Sequence, residues 1–137
     1  MIIGGSFQGK LDYALSHTRL KREDILDGAC CGRDDIFRAE GIRNFHLYVR
    51  RFLLGLDEKE LADFGQRLAL ENPDLVLITD EIGCGIVPLE KEERIYREAV
   101  GRVCTDLAVR ADRVDRVVCG IGTVIKSGQS CHFGQNE

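Results

Sequence analysis

The sequence lacks the features that mark membrane, secreted and nucleic-acid-binding proteins. Its 137 residues contain no uninterrupted apolar run near the roughly 18 residues of a membrane span. The N-terminus has no basic region followed by an apolar segment of signal length. The formal net charge of -4 does not favour a nucleic-acid partner. We therefore predict a cytoplasmic protein that binds neither a membrane nor a nucleic acid.

The cysteines lack the spacing of a common metal or redox motif. No C-x-x-C pair is present, and thiols of a cytoplasmic chain stay mostly reduced. Cys104 falls on the apolar side of a predicted helix and is expected in the core. Others lie beside glycine at the ends of predicted strands: Cys30, Cys31, Cys84 and Cys119. Thiolates converging from these loops could hold zinc, an iron–sulfur cluster or a corrinoid cobalt, so a thiol-ligated metal protein stays open as an alternative.

Length and composition indicate one compact domain. A chain with 44% hydrophobic and 31% charged residues has enough apolar surface to fold without disulfides. The apolar segments MIIGG, ILDG, LVLI and RVVCGIGTVIK predict strands, the last in two pieces around Gly120 and Gly122. We expect a single domain over residues 1–126 and a flexible C-terminal tail over residues 127–137.

Helical periodicity fills the segments between those strands. Apolar residues recur at helical spacing from about Asp34 to Leu54. Asp57 followed by Glu60 is an aspartate version of a capping box and predicts the start of a second helix. A long amphipathic helix follows Pro88, and its inward face is predicted to comprise Ile95, Ala99, Val103, Leu107 and Ala111. Alternating strands and helices predict a three-layer α/β domain with a small, mostly parallel sheet.

A glycine-rich segment near the N-terminus has the spacing of a phosphate-binding loop. Gly4, four further residues, Gly9 and Lys10 follow a predicted strand and precede a predicted helix. Backbone N–H groups of such a loop surround a phosphate, and its lysine reaches the outer oxygens. The alternative is a glycine-rich turn with a solvated lysine, because Leu11 stands where the pattern has a Mg²⁺-binding Ser or Thr. We predict a P-loop-type nucleotide-binding domain whose binding residues are Gly4, Gly5, Ser6, Phe7, Gln8, Gly9, Lys10 and Leu11.

Carboxylates end two of the predicted strands. Ligands of open α/β sheets bind beyond the carboxyl ends of the strands, so the loops that follow them should meet at one rim. Asp27 would orient a Mg²⁺-bound water there, or it would cap the turn into Gly28. Asp80 and Glu81 end the central strand, where a buried carboxylate needs a cation or hydrogen-bond donors. We predict Lys10, Asp27 and Glu81 as catalytic residues, with the two carboxylates organising Mg²⁺ through water.

Three segments in the second half of the chain carry a family resemblance. LITDEIGCGIVP, REAVGRVCTDLAVRADRV and RVVCGIGTVIK are similar to the C-terminal half of the adenosylcobinamide kinase / adenosylcobinamide-phosphate guanylyltransferase family, which also opens with a glycine-rich phosphate loop. Asp27 resembles the acidic residue that ends the family's middle strand. The resemblance implies phosphoryl or guanylyl transfer to a cobinamide, with ATP or GTP and Mg²⁺ as cofactors. It also implies a homo-oligomer whose partners are a nucleotide and a corrinoid small molecule.

The chain departs from the family pattern at residues on which transfer depends. Leu11 and Gln8 each replace a serine of the family's loop, and Asp80 replaces an asparagine. His17 occupies by position the gap in which the family carries its transferase histidine, but the flanking pattern is missing and we expect a surface residue. These departures imply weakened or water-mediated Mg²⁺ binding. A catalytically degenerate nucleotide- or corrinoid-binding protein therefore stays open beside an active kinase.

Two further basic residues lie near the predicted elements of the site. His46 lies beside the apolar stripe of its helix, which favours a half-buried histidine with its hydrogen bonds satisfied over an anion-binding one. Lys126 ends the last predicted strand. We predict that its side chain reaches the substrate.

Overall fold

The computed structural model describes residues 1–82 and 90–128, which form one six-stranded sheet with its helices. The strands in chain order are β1 (Ile2–Gly4), β2 (Ile25–Asp27), β3 (Gly41–Arg43), β4 (Val76–Asp80), β5 (Val114–Val118) and β6 (Ile121–Lys126). Across the sheet they lie in the order β2-β3-β4-β1-β5-β6. The first five strands run parallel, and β6 runs antiparallel to β5. The prediction of an α/β domain with a mostly parallel sheet is confirmed.

The helices follow the loops at the carboxyl ends of the strands or lead back to their starts. In chain order they are α1 (Lys10–His17), α2 (Phe45–Phe52), α3 (Glu58–Glu71) and α4 (Lys91–Arg110). The predicted cap of α3 is present, since the Asp57 carboxylate accepts a hydrogen bond from the Glu60 N–H at 2.8 Å. Helix α1 begins at Lys10, so the phosphate-loop lysine is its first residue.

Alternating side chains of the central strand divide the core between the two faces of the sheet. Leu77 of β4 packs into a cluster formed largely by α2, α3 and α4. Its neighbour Ile78 packs instead with Ile2 of β1 and Ala14 of α1. Because successive strand side chains point to opposite faces, helices cover the sheet on both sides. The three-layer arrangement explains why the LVLI segment is apolar without alternation.

The predicted helix from about Asp34 to Leu54 is wrong in its first half. A 3-10 turn at Asp35–Phe37 and strand β3 come before α2. Asn44, between β3 and α2, has a φ of 53°, which separates the strand from the helix. Ile42 is fully buried in β3, so its helical spacing from the later apolar residues is a coincidence of two elements that pack on one core.

Two predictions near the C-terminus also need correction. Ile95, predicted on the inward face of α4, is 42% exposed. Its neighbour Tyr96 lies on the buried face instead. Ala111 lies beyond the last turn as the C-cap of the helix. The last strand in two pieces is a hairpin of two antiparallel strands, β5 and β6, with its turn at Cys119 and Gly120.

Residues 83–89 and 129–137 lie outside the described residues. The first segment contains Cys84 and Pro88, and the second contains most of the predicted tail over residues 127–137. Within the described ranges, no helix has the length and apolar character needed to cross a bilayer.

Candidate functional site

The glycine-rich segment joins β1 to α1 by a turn that approaches the β5–β6 hairpin closely. A Cβ added to Gly4 would lie 2.5 Å from the Val117 carbonyl oxygen, and one added to Gly9 would lie 3.3 Å from the Gly120 Cα. Gly9 also has a φ of 85°, which residues with a side chain rarely adopt. Both glycines of the G-x-x-x-x-G-K pattern are therefore required by the packing of the loop.

Gln8 fastens this loop to the hairpin turn. Its backbone carbonyl accepts a hydrogen bond from the Gly120 N–H at 2.8 Å, and its side-chain carbonyl accepts one from the Cys119 N–H at 2.7 Å. Gln8, at a position where the family pattern has serine, therefore ties the loop to the β5–β6 hairpin in this chain.

The interior of the loop presents donors to the cleft. Within the described residues, the backbone N–H groups from Ser6 to Gly9 donate to no protein acceptor. The N-terminus of α1 follows directly, and its first N–H groups add partial positive charge on the same side. Phe7 stands fully exposed at the tip of the loop. An anion of phosphate size is the ligand that such a cradle accommodates.

Lys10 lies at the bottom of the loop, paired with Asp80. Its side chain donates to the Gly5 carbonyl at 2.6 Å and to Asp80 Oδ1 at 2.7 Å. The Ser6 hydroxyl donates to the other oxygen, Asp80 Oδ2, at 2.8 Å. Burial by itself raises the pKa of Asp80, but the hydrogen bonds from Lys10 and Ser6 outweigh it, so its pKa lies below the ordinary value.

His46 supports Asp80 from the α2 side. Its Nδ1 accepts a hydrogen bond from the Asp80 N–H at 3.2 Å, and its Nε2 lies 3.5 Å from Asp80 Oδ2. Burial lowers the pKa of His46, so the imidazole is neutral with its proton on Nε2. The Tyr96 hydroxyl donates to the His46 carbonyl at 3.1 Å. His46 is thus the satisfied, buried histidine that its place beside the apolar stripe indicated.

A cleft of about 460 Å³ opens above Lys10 and Asp80. The loop forms one wall, and the opposite wall is formed by Arg22, Arg43 and Asn44. Arg22 pairs with Asp12 at 3.5 Å in a solvent-exposed contact. Cations therefore face the loop across the cleft, each of them beside a carboxylate.

Asp27 lies behind this second wall rather than beside the loop. Two strands, β3 and β4, separate its strand from β1. Its carboxylate accepts hydrogen bonds from the side chains of Arg43 at 3.2 Å and Asn44 at 3.0 Å, and from the Ala29 N–H at 2.9 Å. Burial raises the pKa of Asp27, but these donors outweigh it and hold the pKa below its ordinary value. Asp27 caps its turn, as one interpretation expected, and holds Arg43 at the cleft.

Glu81 turns toward the opposite neighbour of β1. Its carboxylate pairs with Arg116 of β5 at 2.9 Å, and its backbone N–H donates to the Gly4 carbonyl. Of the predicted catalytic residues, only Lys10 borders the cleft directly. The roles of Asp27 and Glu81 toward Mg²⁺ stay predictions.

Prediction from the sequence named Asp80 at the end of the central strand but assigned the site role to its neighbour Glu81. In the register of β1 with β4, Gly4 lies opposite Asp80, which brings the carboxylate under the loop. Strand order cannot be derived from one sequence, and β3 was hidden in a predicted helix. The need of a buried carboxylate for a cation applied equally to Asp80 and Glu81, and only the strand order shows that Asp80 meets Lys10.

The donor set of the cleft suits Mg²⁺ bound with a phosphate. Within the described residues no cluster of three or more His, Cys, Asp or Glu side chains could hold a metal ion alone. Mg²⁺ commonly needs only one or two protein carboxylates, because phosphate oxygens and water complete its coordination. Asp80 lines the cleft as a mostly buried carboxylate, and Leu11 offers no oxygen.

Three residues outside glycine have left-handed backbone in the described part of the chain, and all three border this site. They are Phe7 in the loop, Asn44 in the opposite wall and Cys119 in the hairpin turn that Gln8 contacts. Such conformations are unfavourable for residues with a side chain and concentrate at functional sites. Asn44 and Cys119 lie outside the loop motif and point to this end of the sheet independently of it.

The remaining predicted residues lie away from the cleft. Lys126 donates to the carbonyls of Ala108 and Val109 at the end of α4, so its side chain lies away from the cleft, and its contact with substrate stays a prediction. The reason is that β6 is antiparallel and ends at the opposite edge of the sheet. His17 is exposed and stacked on Tyr13, as expected for a surface residue.

The cysteines divide between core and surface. Cys104 packs against the core, and burial raises its pKa to about 12. Cys31 is buried in the same cluster, whereas Cys30 and Cys119 are exposed. Cys84 lies outside the described residues. The described cysteines therefore give the metal hypothesis no cluster of ligands.

Comparison with known proteins identifies the family of the chain. The family model described as cobinamide kinase / cobinamide phosphate guanyltransferase matches residues 47–125, which is more than half of the chain. The bifunctional adenosylcobalamin biosynthesis protein CobU of Salmonella typhimurium is 50% identical over 52 residues, or 38% of this chain and 29% of that protein. The protein of the same name from Escherichia coli is 48% identical over 52 residues, again 29% of its length. The chain belongs to the cobinamide kinase / cobinamide phosphate guanyltransferase family.

Proposed function

We propose that this chain binds ATP or GTP through residues 4–11 and transfers a phosphoryl group to the alcohol of adenosylcobinamide. The observation that carries the proposal is the buried Lys10 ammonium beneath a loop whose N–H groups face an open cleft. Membership of the family supplies the corrinoid substrate class. Guanylyl transfer from GTP to the phosphorylated product is the second activity that the family name suggests.

Each group of the cleft has a distinct role in this proposal. Lys10 and the loop N–H groups neutralise the outer phosphates of the nucleotide. Arg43, held by Asp27, faces the same space and adds positive charge on the far side. When bound, Mg²⁺ would supply neutralisation of the charge on the phosphates, and Asp27 and Glu81 would contribute to its site through water, although neither side chain lines the cleft. The fully exposed Phe7 offers apolar surface to a corrin ring.

A transfer assay tests the enzyme directly. Purified protein is incubated with adenosylcobinamide, Mg²⁺ and either ATP or GTP. The corrinoid is then separated, and its molecular mass is measured by mass spectrometry. We expect a gain of one phosphate that is absent with the Lys10→Met variant. An unmodified corrinoid with both nucleotides would rule out the kinase.

The second candidate is a nucleotide- or corrinoid-binding protein without transfer activity, and Leu11 favours it. Its side chain packs against the cluster around Ala14 where an active loop has a hydroxyl. This candidate predicts that nucleotide raises the melting temperature while the corrinoid stays unmodified. Phosphorylated product would eliminate it.

We also propose that the protein acts in the cytoplasm as a homo-oligomer, as the family resemblance implies. Light scattering coupled to size-exclusion chromatography, run with and without nucleotide, measures the mass in solution. A mass of 15.3 kDa would show a monomer and contradict the oligomer.

A further inference from the structure

The lysine of the phosphate loop is already neutralised by a side chain of the protein. Its ammonium lies 2.7 Å from Asp80 Oδ1, and both groups are mostly buried. The remaining carboxylate that lines the cleft, Asp12, is exposed and pairs with Arg22 on the surface. Asp80 is therefore the negative charge closest to the place where a phosphate would contact Lys10.

This pairing sets a condition on the ligand. A bare polyphosphate that contacts Lys10 brings its own negative charge next to the Asp80 carboxylate. If the lysine turned to the phosphate completely, Asp80 would keep only the Ser6 hydroxyl and the neutral His46 beside it. A partly buried carboxylate without a cation is costly, so both outcomes weaken binding of a bare anion. A divalent cation between the carboxylate and the phosphate removes the conflict.

The residue at the usual metal position cannot provide that cation with a ligand. Leu11 is partly buried and packs with the cluster of Ile2, Tyr13 and Ala14. The carboxylate of Asp80 lines the same cleft, fixed by Ser6 on one oxygen and by Lys10 on the other. The cleft therefore has no oxygen at the usual loop position but has a carboxylate next to the loop lysine.

We infer that Asp80 makes this cleft selective for a polyphosphate that arrives with a divalent cation, and that it replaces the missing loop hydroxyl as the oxygen ligand. The inference rests on the proposed nucleotide binding and adds the residue that determines its metal dependence. The carboxylate of Asp80 then changes its partner: it pairs with Lys10 in the free protein and with the divalent ion when the polyphosphate is bound.

Calorimetric titration of the full chain with ATP, GTP and inorganic tripolyphosphate tests this, each in excess MgCl₂ and in EDTA. For the native chain we expect Mg²⁺ to strengthen binding by about tenfold or more, since the cation relieves a charge conflict in a partly buried site. For Asp80→Asn we expect tighter binding in EDTA than the native chain shows, and a Mg²⁺ effect of less than about threefold. Asp74→Asn, the same change in an exposed residue at the other end of β4, is the matched control and should behave as the native chain does.

A double variant and a measurement on the native chain complete the test. Leu11→Ser added to Asp80→Asn should restore a Mg²⁺ effect, because it returns the hydroxyl ligand to the loop. With Mn²⁺ in place of Mg²⁺, nuclear magnetic resonance of the native chain with ATP should show the strongest broadening at the Asp80 amide and weaker broadening at Asp27. This second readout is independent of any variant's folding.

The outcomes separate the inference from the proposed function. Native protein that binds none of the three polyphosphates in either buffer overturns the proposed function and the inference with it. Binding with an unchanged Mg²⁺ effect in Asp80→Asn overturns the inference alone. Loss of the effect in Glu81→Gln instead of Asp80→Asn also overturns it and returns the metal role to the neighbouring carboxylate.

Discussion

A fully buried carboxylate and a partly buried one lie at opposite edges of the same sheet, and their hydrogen-bond partners leave them in different surroundings. Asp115, at the start of β5, is 4% exposed and accepts hydrogen bonds from the Tyr13 hydroxyl and from both Arg113 nitrogens at 2.6 to 2.9 Å. Asp80, at the end of β4, is held by Lys10 and Ser6 but borders an open cleft. The first carboxylate is closed in by its partners, whereas the partner of the second is the cation that a phosphate would need. Asp115 therefore has a structural role, whereas Asp80, with 17% of its side chain exposed, is placed to meet a ligand.

The largest expected effect on stability comes from breaking the closed carboxylate. Asp115→Asn should lower the free energy of unfolding by roughly 2 kcal/mol, because the buried Tyr13 hydroxyl and the half-exposed Arg113 guanidinium lose a charged acceptor. Denaturant titration measures the loss. Nucleotide affinity should stay within about twofold of the native value, since this edge of the sheet is remote from the cleft.

The same carboxylate predicts a pH dependence of stability. Burial raises the pKa of Asp115, but the hydrogen bonds from Arg113 and Tyr13 outweigh it, so the folded pKa lies below its ordinary value of 3.8. A depressed folded pKa adds stability above the unfolded pKa and loses it as the pH falls through the folded one. The stability difference between the native chain and Asp115→Asn should therefore be constant near neutral pH and shrink below about pH 4. A difference that grows on acidification would contradict this sign.

The open carboxylate should reveal itself in binding more than in folding. Lys10→Met should weaken ATP and GTP binding by about 100-fold, because it removes the charged donor to the outer phosphates. It also leaves Asp80 without its cation, so some stability is lost. Adding Asp80→Asn to Lys10→Met should restore that stability without restoring affinity. Recovery of nucleotide binding in the double variant would show that Lys10 does not contact the phosphates.

Leu11→Ser should lower the stability of the protein and raise its nucleotide affinity in Mg²⁺, which separates the packing role of this position from its role in metal binding. Removing a partly buried leucine should cost about 1 to 2 kcal/mol of stability. In the presence of Mg²⁺, nucleotide affinity should rise by about threefold as a second oxygen ligand becomes available. Thermal denaturation and calorimetry of the same sample measure the two effects. Lower affinity in Mg²⁺ would mean that the leucine itself shapes the loop.

The smallest effect is expected at Lys126. Its ammonium donates to two carbonyls at the C-terminus of α4, so Lys126→Met should cost about 0.5 to 1 kcal/mol. Because this residue lies at the Asp115 edge, transfer activity and nucleotide affinity should equal those of the native chain. A selective loss of turnover would return Lys126 to the substrate site.

The sequence predicted the loop well because its constraint is local. Two glycines and a lysine at fixed spacing after an apolar strand specify a turn, and the structure requires both glycines for close packing. Helix α3 was predicted for the same reason, from the Asp57 cap and its apolar face. The short strand β3 was not, since three residues beside a helix have no periodicity of their own. The second wall of the cleft, with Arg43 and Asn44, was missed along with it.

The partners of the predicted carboxylates could not be read from the sequence, because strand order decides them. Asp27 ends β2 as predicted and Glu81 directly follows the end of β4, but the order of the sheet gives them Arg43 and Arg116 as neighbours. The same order brings Asp80 beneath Lys10. The sequence shows which residues lie at the ends of strands and therefore at one edge of the sheet. It does not show which of those residues contact one another, because that depends on strand order.

The most direct measurement is a nuclear magnetic resonance titration of the ¹⁵N-labelled chain with MgGTP and MgATP, followed at both edges of the sheet. The account predicts large shifts of the backbone amides from Gly5 to Lys10 and of Asp80, with the amides of Arg113 and Asp115 unmoved. Shifts confined to the Asp115 edge, or none at saturating nucleotide, would contradict nucleotide binding at the glycine-rich loop.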